Sequence, residues 1–190
     1  QLSAYGASKR AGEAVVASRS GSWPIVRAPA VYGPGDRETL AYFRAIKSGI
    51  APQPRVPEAR LSLIHVADLA EALALAVERP PVNSTYEIDD GRTYTYGDMV
   101  AAAGEALGRH PVRLAVPRGV MACIGRWNEL RQALGADAQI LTRGKVNEIF
   151  HPDWSAPDRR LVAAIGFQPR YDLTSGFRDT ILWYRAKHWL

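Results

Sequence analysis

The amino-acid sequence predicts an α/β fold, in which short buried strands alternate with amphipathic helices. Ile25 and Val26 form a β-branched apolar run after the turn-forming residues 20–22, as expected of a short buried strand. A second apolar run at 61–66 leads directly into a helical pattern that starts near Asp68. Alternation of this kind is typical of sheets whose faces are covered by helices.

The first third of the chain contains two predicted helices and one proline-rich segment. One helix is expected from about residue 3 to residue 18, with small apolar side chains for packing. Another is expected at 37–49, where apolar residues recur every three positions: Leu40, Phe43 and Ile46. Residues 51–57 contain three prolines, which remove N–H donors and fix φ, so this segment is expected to be a surface loop near the entrance of a ligand site.

The middle of the chain continues the alternation. The helix at 68–79 has apolar residues at four-residue spacing, and Asp68 stands where a carboxylate caps a first turn. Residues 86–89 are expected to form a strand. Thr95 and Asp98 have the spacing of a capping box, which predicts a new helix at 99–107.

The C-terminal half is predicted to be mostly helical after one strand at 112–116. A helical stretch at 117–134 contains a spaced apolar set that suits either a core or the wall of a pocket: Met121, Ile124, Trp127 and Leu130. A short helix is expected at 160–165. The final helix carries Phe177, Ile181 and Tyr184 on one face, and Trp183 and Trp189 are expected to dock against the protein.

Tyr5 and Lys9 form the arrangement that most clearly suggests chemistry. Residues four apart on a helix lie on one face, so the Lys9 ammonium can stand beside the Tyr5 phenol. A neighbouring cation favours the ionised phenol and makes it a better proton donor and acceptor near neutral pH. A helix with a half-buried tyrosine and a solvated lysine has the same spacing, so spacing alone leaves both readings open.

Composition excludes several other classes of function. The net charge is +5, but the basic residues are scattered rather than gathered into a block, which does not favour nucleic-acid binding. No apolar run is long enough to span a membrane, so no membrane partner is expected. The four histidines and the single Cys123 lack the spacing of a metal site, so no metal is expected. One cysteine without a partner fits a cytoplasmic location.

The motifs around Tyr5 resemble those of the extended short-chain dehydrogenase/reductases, the NAD-dependent epimerase/dehydratase family. The resemblance rests on Tyr5-Gly-Ala-Ser-Lys9, on Arg27-Ala-Pro-Ala-Val-Tyr-Gly-Pro34 and on Leu63-Ile-His-Val-Ala-Asp68. Later segments such as Gly166-Phe-Gln-Pro169 and Trp183-Tyr-Arg185 are also similar, so the likeness extends over nearly the whole chain.

This resemblance implies the C-terminal part of a doubly wound Rossmann-type sheet plus a small, mostly helical substrate-binding domain. Residues 1–92 would complete the dinucleotide-binding domain, with a substrate-loop insertion at about 33–60, and residues 93–190 would form the substrate-binding region. The family's glycine-rich phosphate loop is not visible, because Gly33-Pro-Gly-Asp-Arg-Glu38 has a proline and a glutamate at the wrong positions. We therefore expect a missing N-terminal half of the same enzyme, without which the chain would be inactive.

The resemblance also implies roles for particular residues, with NAD or NADP as cofactor. Tyr5 and Lys9 would be catalytic and would contact the cofactor. The cofactor-binding set would continue after the first strand with Pro29, Ala30, Val31 and Tyr32. The residues implied for substrate binding are Arg37, Arg60 and His65.

Substrate and partners are less defined. Sugar-nucleotide enzymes of the family often have an Arg-Asp pair before the His-Val segment, whereas this chain has Arg60 one place earlier and no Asp. The pattern therefore resembles the hydroxysteroid and flavonol-type reductases, and implies hydride transfer at a secondary alcohol or ketone of a small molecule. A nucleotide-sugar epimerase or dehydratase is the alternative, and a non-catalytic truncated binding module is a third. Homodimer formation stays open.

Overall fold

The computed structural model describes residues 4–56, 58–135 and 141–190. Ser3 and Pro57, at the ends of two predicted segments, lie outside these ranges. Eight helices occur within them: α1 (Ala4–Ala17), α2 (Arg37–Lys47), α3 (Val66–Glu78), α4 (Tyr96–Leu107), α5 (Arg118–Ala133), α6 (Arg143–Ile149), α7 (Arg160–Ile165) and α8 (Leu173–Ala186). The described strands are β1 (Ile25–Arg27), β2 (Ala30–Tyr32), β3 (Ile50–Pro54), β4 (Arg60–Leu61), β5 (Leu63–His65), β6 (Thr85–Glu87), β7 (Val112–Val116) and β8 (Asp153–Trp154). The predicted α/β class is confirmed.

The strands of the described ranges form four parallel pairs: β1 with β6, β2 with β5, β3 with β7, and β4 with β8. Val31 is opposite Ile64 in the second pair, and Pro52 is opposite Leu114 in the third. Parallel pairing requires a crossover between the two strands. The helices between paired strands supply these crossovers, so strand ends from distant parts of the chain meet at common edges.

The loop predicted at 51–57 is wrong for its first half, because β3 runs through Pro54. Gly49 O accepts from Val112 N and Arg55 N donates to Val116 O, so the odd-numbered residues of β3 bond to β7. Pro52 and Pro54 therefore face the other way, where the ladder needs no N–H donor. Prolines at alternate positions exclude a central strand but permit an edge strand.

One apolar core joins β2, α2, α4 and α8. Phe43 and Ile46 of α2 are fully buried, and Phe177 of α8 packs edge-on against Phe43 with ring centroids 5.0 Å apart. Gly176 allows α8 to approach Tyr32, since a Cβ there would meet a Tyr32 ring carbon at 2.9 Å. The predicted apolar faces of α2 and α8 are confirmed, and Trp183 and Trp189 pack against the same core.

A second core lies between α3, α7 and β5–β6, and contains Ile64, Tyr86, Leu161 and Ile165. Asp68 connects the two cores, but not as the predicted helix cap. The N-cap of α3 is His65, whose Nδ1 accepts from Ala67 N at 3.3 Å. The buried Asp68 carboxylate instead accepts from the backbone N–H groups of 170 and 171, at 3.1 and 3.0 Å. It therefore anchors the loop that leads into α8.

The capping box at the start of α4 is confirmed, with Thr95 and Asp98 bonding reciprocally. The apolar residues of α5 were expected to lie either in a core or in the wall of a pocket. Neither expectation holds for Ile124, Trp127 and Leu130, which are exposed to solvent. Among the described helices, none combines the length and the apolar character that crossing a membrane requires.

Candidate active site

Tyr5 and Lys9 lie together at the start of α1. The Lys9 Nζ atom stands 5.5 Å from the centroid of the Tyr5 ring, within the range of a cation–π contact. The Tyr5 side chain is 68% exposed and Lys9 is exposed. The predicted neighbourhood of phenol and ammonium is therefore present, and both groups are open to a ligand.

An ion pair sets the direction in which this face of α1 points. Glu13 follows Tyr5 and Lys9 at four-residue steps, so the three side chains form one stripe along the helix. The two Glu13 oxygens accept from Arg27, at 2.9 Å from Nε and 2.6 Å from Nη2. The hydrogen bond from Arg27 lowers the pKa of the Glu13 carboxyl. Because Arg27 is the last residue of β1, the stripe is held at the carboxyl end of a strand, where α/β proteins bind ligands.

A cavity of about 370 Å³ opens beside the same strand end. The segment after β1 contributes Pro29 and Ala30, which were predicted to border the cofactor. Ala28 of the same segment also lines the cavity. The remaining lining residues come from β4–β5 and from the C-terminal half: Leu61, Ser62, Leu63, Tyr96, Met99, Lys145, Glu148, Ile149 and Trp154. The wall is mostly apolar, with few polar groups.

The polar groups of the cavity wall are tied to backbone or to each other. The Tyr96 hydroxyl donates to Ile149 O at 3.0 Å, and burial raises the pKa of Tyr96 to about 12. Lys145 Nζ lies 3.7 Å from Glu148 Oε2. The Tyr96 bond fixes the start of α4 against α6, whereas the Lys145–Glu148 pair lies within α6.

Behind the cavity, Ser62 takes part in a buried hydrogen-bond network. Its hydroxyl donates to Asp89 Oδ2 at 2.7 Å and accepts from Ala156 N at 3.0 Å. Arg159 donates to both oxygens of Asp89, which balances the charge of a carboxylate that is almost fully buried. The network joins β6, β5 and the segment before α7, so it holds the floor of the cavity.

Tyr32 and His65, two of the predicted ligand contacts, lie inside the protein. Tyr32 is buried between His65 and Phe177, and its hydroxyl donates to Asp172 O at 3.3 Å. Burial raises the pKa of Tyr32 well above its usual range. His65 is equally buried, with its ring 4.0 Å from that of Tyr171 and Nε2 3.4 Å from Asp179 Oδ2. Burial lowers the pKa of His65.

The other predicted site residues are distributed over the surface. Val31 is partly exposed on β2. The Arg37 guanidinium lies over the Trp189 ring, 5.4 Å from its centroid. Arg60 Nη1 is 3.9 Å from Asp153 Oδ2, next to the β4–β8 pair that borders the cavity. None of these three side chains is among the residues that line the cavity described above.

Comparison with known proteins identifies the family that the chain resembles. Residues 1–89 match the family described as "NAD dependent epimerase/dehydratase family". The chain is also 36% identical over 192 residues to the ceramide reductase of Caulobacter vibrioides. The predicted resemblance to the NAD dependent epimerase/dehydratase family is therefore confirmed, with the family model matching residues 1–89. The alignment covers 100% of this chain and 59% of that relative, so the chain spans somewhat more than half of it.

Solved structures of other proteins share the fold. RMD from Pseudomonas aeruginosa, complexed with NADPH, has a TM-score of 0.70 at 11% identity, covering 96% of this chain and 56% of that one. UDP-glucose 4-epimerase from Thermus thermophilus, complexed with NAD, has a TM-score of 0.69 at 20% identity, covering 97% and 54%. The predicted Rossmann-type class is therefore confirmed, and these two neighbours hold NADPH and NAD.

Proposed function

We propose that this chain is part of an NAD(P)-dependent oxidoreductase in which Tyr5 and Lys9 transfer a proton during hydride transfer at a ketone or secondary alcohol. The single observation that carries the proposal is the Lys9 ammonium standing over the exposed Tyr5 ring on a helix face held at the end of β1. An exposed phenol and ammonium at that edge fit the nicotinamide end of a dinucleotide, which is electron-poor and carries ribose hydroxyls.

Tyr5 would act at the oxygen of the substrate. When bound, the reduced cofactor supplies a hydride to the carbonyl carbon. The Tyr5 hydroxyl donates its proton to the carbonyl oxygen, so the ketone becomes an alcohol and the phenol becomes a phenolate. Lys9 stabilises that phenolate through its positive charge and can donate to a ribose hydroxyl. In the direction of oxidation the same proton returns to Tyr5.

Pro29 and Ala30 would border the nicotinamide end, and Val31 would extend that border. The cavity that begins at these residues would receive the substrate. Its apolar wall, with Leu61, Met99 and Trp154 among its members, suits a hydrophobic ketone better than a charged sugar nucleotide. The 36% identical relative is a ceramide reductase, which supports a long-chain lipid ketone of the ceramide type. The lone, exposed Cys123 thiol fits a reducing cytoplasm as the location.

The test is turnover by the full-length protein with a long-chain keto lipid, followed by cofactor absorbance, and with UDP-glucose, followed by chromatography of the sugar nucleotide. The second readout is needed because an epimerase or dehydratase returns its cofactor unchanged. We expect oxidation of NADH or NADPH with the keto lipid and no conversion of the sugar nucleotide. Turnover of the sugar nucleotide alone would favour an epimerase or dehydratase. No turnover of any ketone, with cofactor bound, would favour a non-catalytic module.

Tyr5→Phe removes the proton donor and leaves the ring under Lys9. We expect kcat to fall by at least about a hundredfold, the usual contribution of a general acid, with little change in cofactor affinity. Tyr42→Phe is the matched control, because Tyr42 packs against the core around α2 and lies outside the site. Unchanged turnover in Tyr5→Phe would remove the catalytic assignment.

A further inference from the structure

Helix α5 turns its apolar side away from the protein. At 3.6 residues per turn, its apolar side chains occupy roughly one third of the helix circumference. The set consists of Val120, Ile124, Trp127, Leu130 and Leu134. All five are exposed, with Trp127 at 61% and Leu134 at 80%. A surface helix normally buries such a stripe, so α5 has the reverse orientation.

The inward side of α5 explains this orientation. Gly125 is buried, and a Cβ there would meet the backbone of Thr142 at 3.0 Å. Asn128 Nδ2 donates to Leu141 O at 3.0 Å, and Glu129 Oε1 accepts from Arg143 N at 2.8 Å. These small and polar contacts attach α5 to the start of α6 and fix its rotation. The apolar stripe therefore faces outward as a consequence of specific contacts.

The charges in and beside the stripe are positive. Arg126 and Arg131 are exposed, whereas Glu129, the one acidic residue of α5, bonds to the backbone of α6. By helical position, Arg126 borders the stripe next to Leu130, whereas Arg131 lies within the stripe. A helix that exposes apolar side chains, a tryptophan and arginines together is typical of helices that lie in the interface of an anionic bilayer. The arginine stems can cover apolar surface while their guanidinium groups reach the lipid phosphates.

The helix that carries the stripe is also a neighbour of the candidate substrate cavity. α5 packs on α6, and α6 supplies Lys145, Glu148 and Ile149 to the cavity wall. A surface in contact with lipid would thus lie one helix away from the place where a lipid ketone would react. A second copy of the chain fits the stripe less well. Two-fold pairing of α5 would bring Arg126 and Arg131 of one copy close to Arg131 and Arg126 of the other, and these like charges repel.

We infer that α5 is a docking helix that seats the protein on the surface of an anionic bilayer and presents the cavity to a membrane-resident lipid. The docking itself is argued from the stripe and its charges, while the lipid substrate rests on the proposed function. The helix has 16 residues and lies on the bilayer rather than crossing it.

The direct test is co-sedimentation of the full-length protein with vesicles of phosphatidylcholine, with or without phosphatidylglycerol. The double variant Trp127→Ser/Leu130→Ser removes apolar surface from the stripe, and we expect its partitioning to anionic vesicles to fall at least about tenfold. Val77→Ser/Leu182→Ser is the matched control, because both side chains are exposed apolar residues on other helices. Equal partitioning of all three proteins, or none by the wild type, would overturn the inference.

A charge-reversal variant tests the same inference independently, in case the double serine variant does not fold. Arg126→Glu/Arg131→Glu changes exposed side chains only, and we expect it to lose the preference for anionic over neutral vesicles. Sedimentation velocity without vesicles tests whether a second copy of the chain, rather than a membrane, covers the stripe. A dimer of the wild type that dissociates in Trp127→Ser/Leu130→Ser would mean that a second copy covers the stripe, and would overturn membrane docking.

Kinetics separate the docking from the reaction. The double variant should reduce a long-chain keto lipid in vesicles at least about tenfold more slowly than the wild type, yet reduce a short water-soluble ketone at an equal rate. Equal rates on both substrates would contradict docking. If the wild type reduces neither substrate, the proposed reaction fails, and the sedimentation result still decides whether α5 binds the membrane.

Discussion

Helices α8 and α5 are both amphipathic, but they treat their apolar sides in opposite ways. α8 buries Phe177, Ile181 and Tyr184 in the main core. α5 exposes Trp127 and Leu130 to solvent and contacts its neighbour through other residues.

This contrast indicates that glycine and polar contacts decide which side of a helix is buried. In α8, Gly176 allows the apolar side to approach Tyr32 closely. In α5, Gly125 occupies the polar side and brings that side against the backbone of Thr142. A helix packs where its backbone can come near a neighbour, and large side chains on the other face stay outside.

Truncating one large side chain on each helix compares the two apolar sides directly. The truncation on α8 should give the largest change in the free energy of unfolding. Phe177→Ala would leave a cavity in the core around Phe43, and we expect the free energy of unfolding to fall by about 4 kcal/mol. Trp127→Ala should change it by less than about 0.5 kcal/mol, because the side chain is mostly exposed. Urea denaturation of both variants measures the difference. Comparable losses would show that α5 is as deeply packed as α8.

The next-largest expected change in stability concerns the hydrogen bonds that anchor Leu173, the first residue of α8. The Asp90 carboxylate accepts from the Tyr94 hydroxyl at 2.7 Å, and that hydroxyl accepts from Leu173 N at 3.3 Å. Burial raises the pKa of Asp90 to about 6, against the lowering effect of the Tyr94 hydrogen bond. α5 has no corresponding buried carboxylate at its first residue in the described part of the chain, since its N-cap is Pro117 without a side-chain bond.

A raised carboxyl pKa means that the folded state holds the Asp90 proton more tightly than the unfolded state. Its contribution to stability is complete below pH 3.8 and is lost as the pH rises through about 6. We expect the ionisation of this single group to lower the free energy of unfolding by about 3 kcal/mol over that window. Asp90→Asn should flatten that part of the pH profile, measured by urea denaturation at a series of pH values. A profile identical to that of the wild type would exclude Asp90 as its source.

The weakest effect on stability concerns α1. Arg27→Ala removes the pair with Glu13, and because both side chains are partly exposed we expect a loss of less than about 1 kcal/mol. Activity should respond more, since this pair aligns the stripe that carries Tyr5 and Lys9. A fall in kcat of the full-length enzyme without a comparable fall in stability would support the alignment. The exposed Arg109→Ala in the loop after α4 serves as a control for removal of an arginine.

Sequence periodicity predicted most helices but not their orientation. The three-residue spacing in α2 and the four-residue spacing in α8 placed Phe43 and Phe177 in the core correctly. The same kind of spacing in α5 could not reveal that Trp127 is outside, because a stripe has no direction until its neighbours are known. The prolines at 52 and 54 correctly excluded a central strand. They could not reveal an edge strand, because an edge strand is recognised only when its pairing partner, here β7, is known.

The candidate site was partly accessible from sequence. Tyr5 and Lys9 could be found because four residues on a helix fix their distance. Ser62, Asp89 and Arg159 could not, because residues separated by 27 and 70 positions meet only through the fold. The run Tyr86-Glu-Ile-Asp89 at a strand end was the available signal for that network. Lys145, Glu148 and Trp154 reach the cavity through α6 and β8, whose placement depends on long-range packing.

The alternating prolines of β3 have a consequence for encounters between protein molecules. An exposed edge strand usually presents a row of unpaired backbone donors and acceptors, with which a strand of another protein molecule can pair. Pro52 and Pro54 remove two donors from the border that points away from β7. That border is thereby a poor template for aggregation, even though the opposite side of the same strand is hydrogen-bonded to β7.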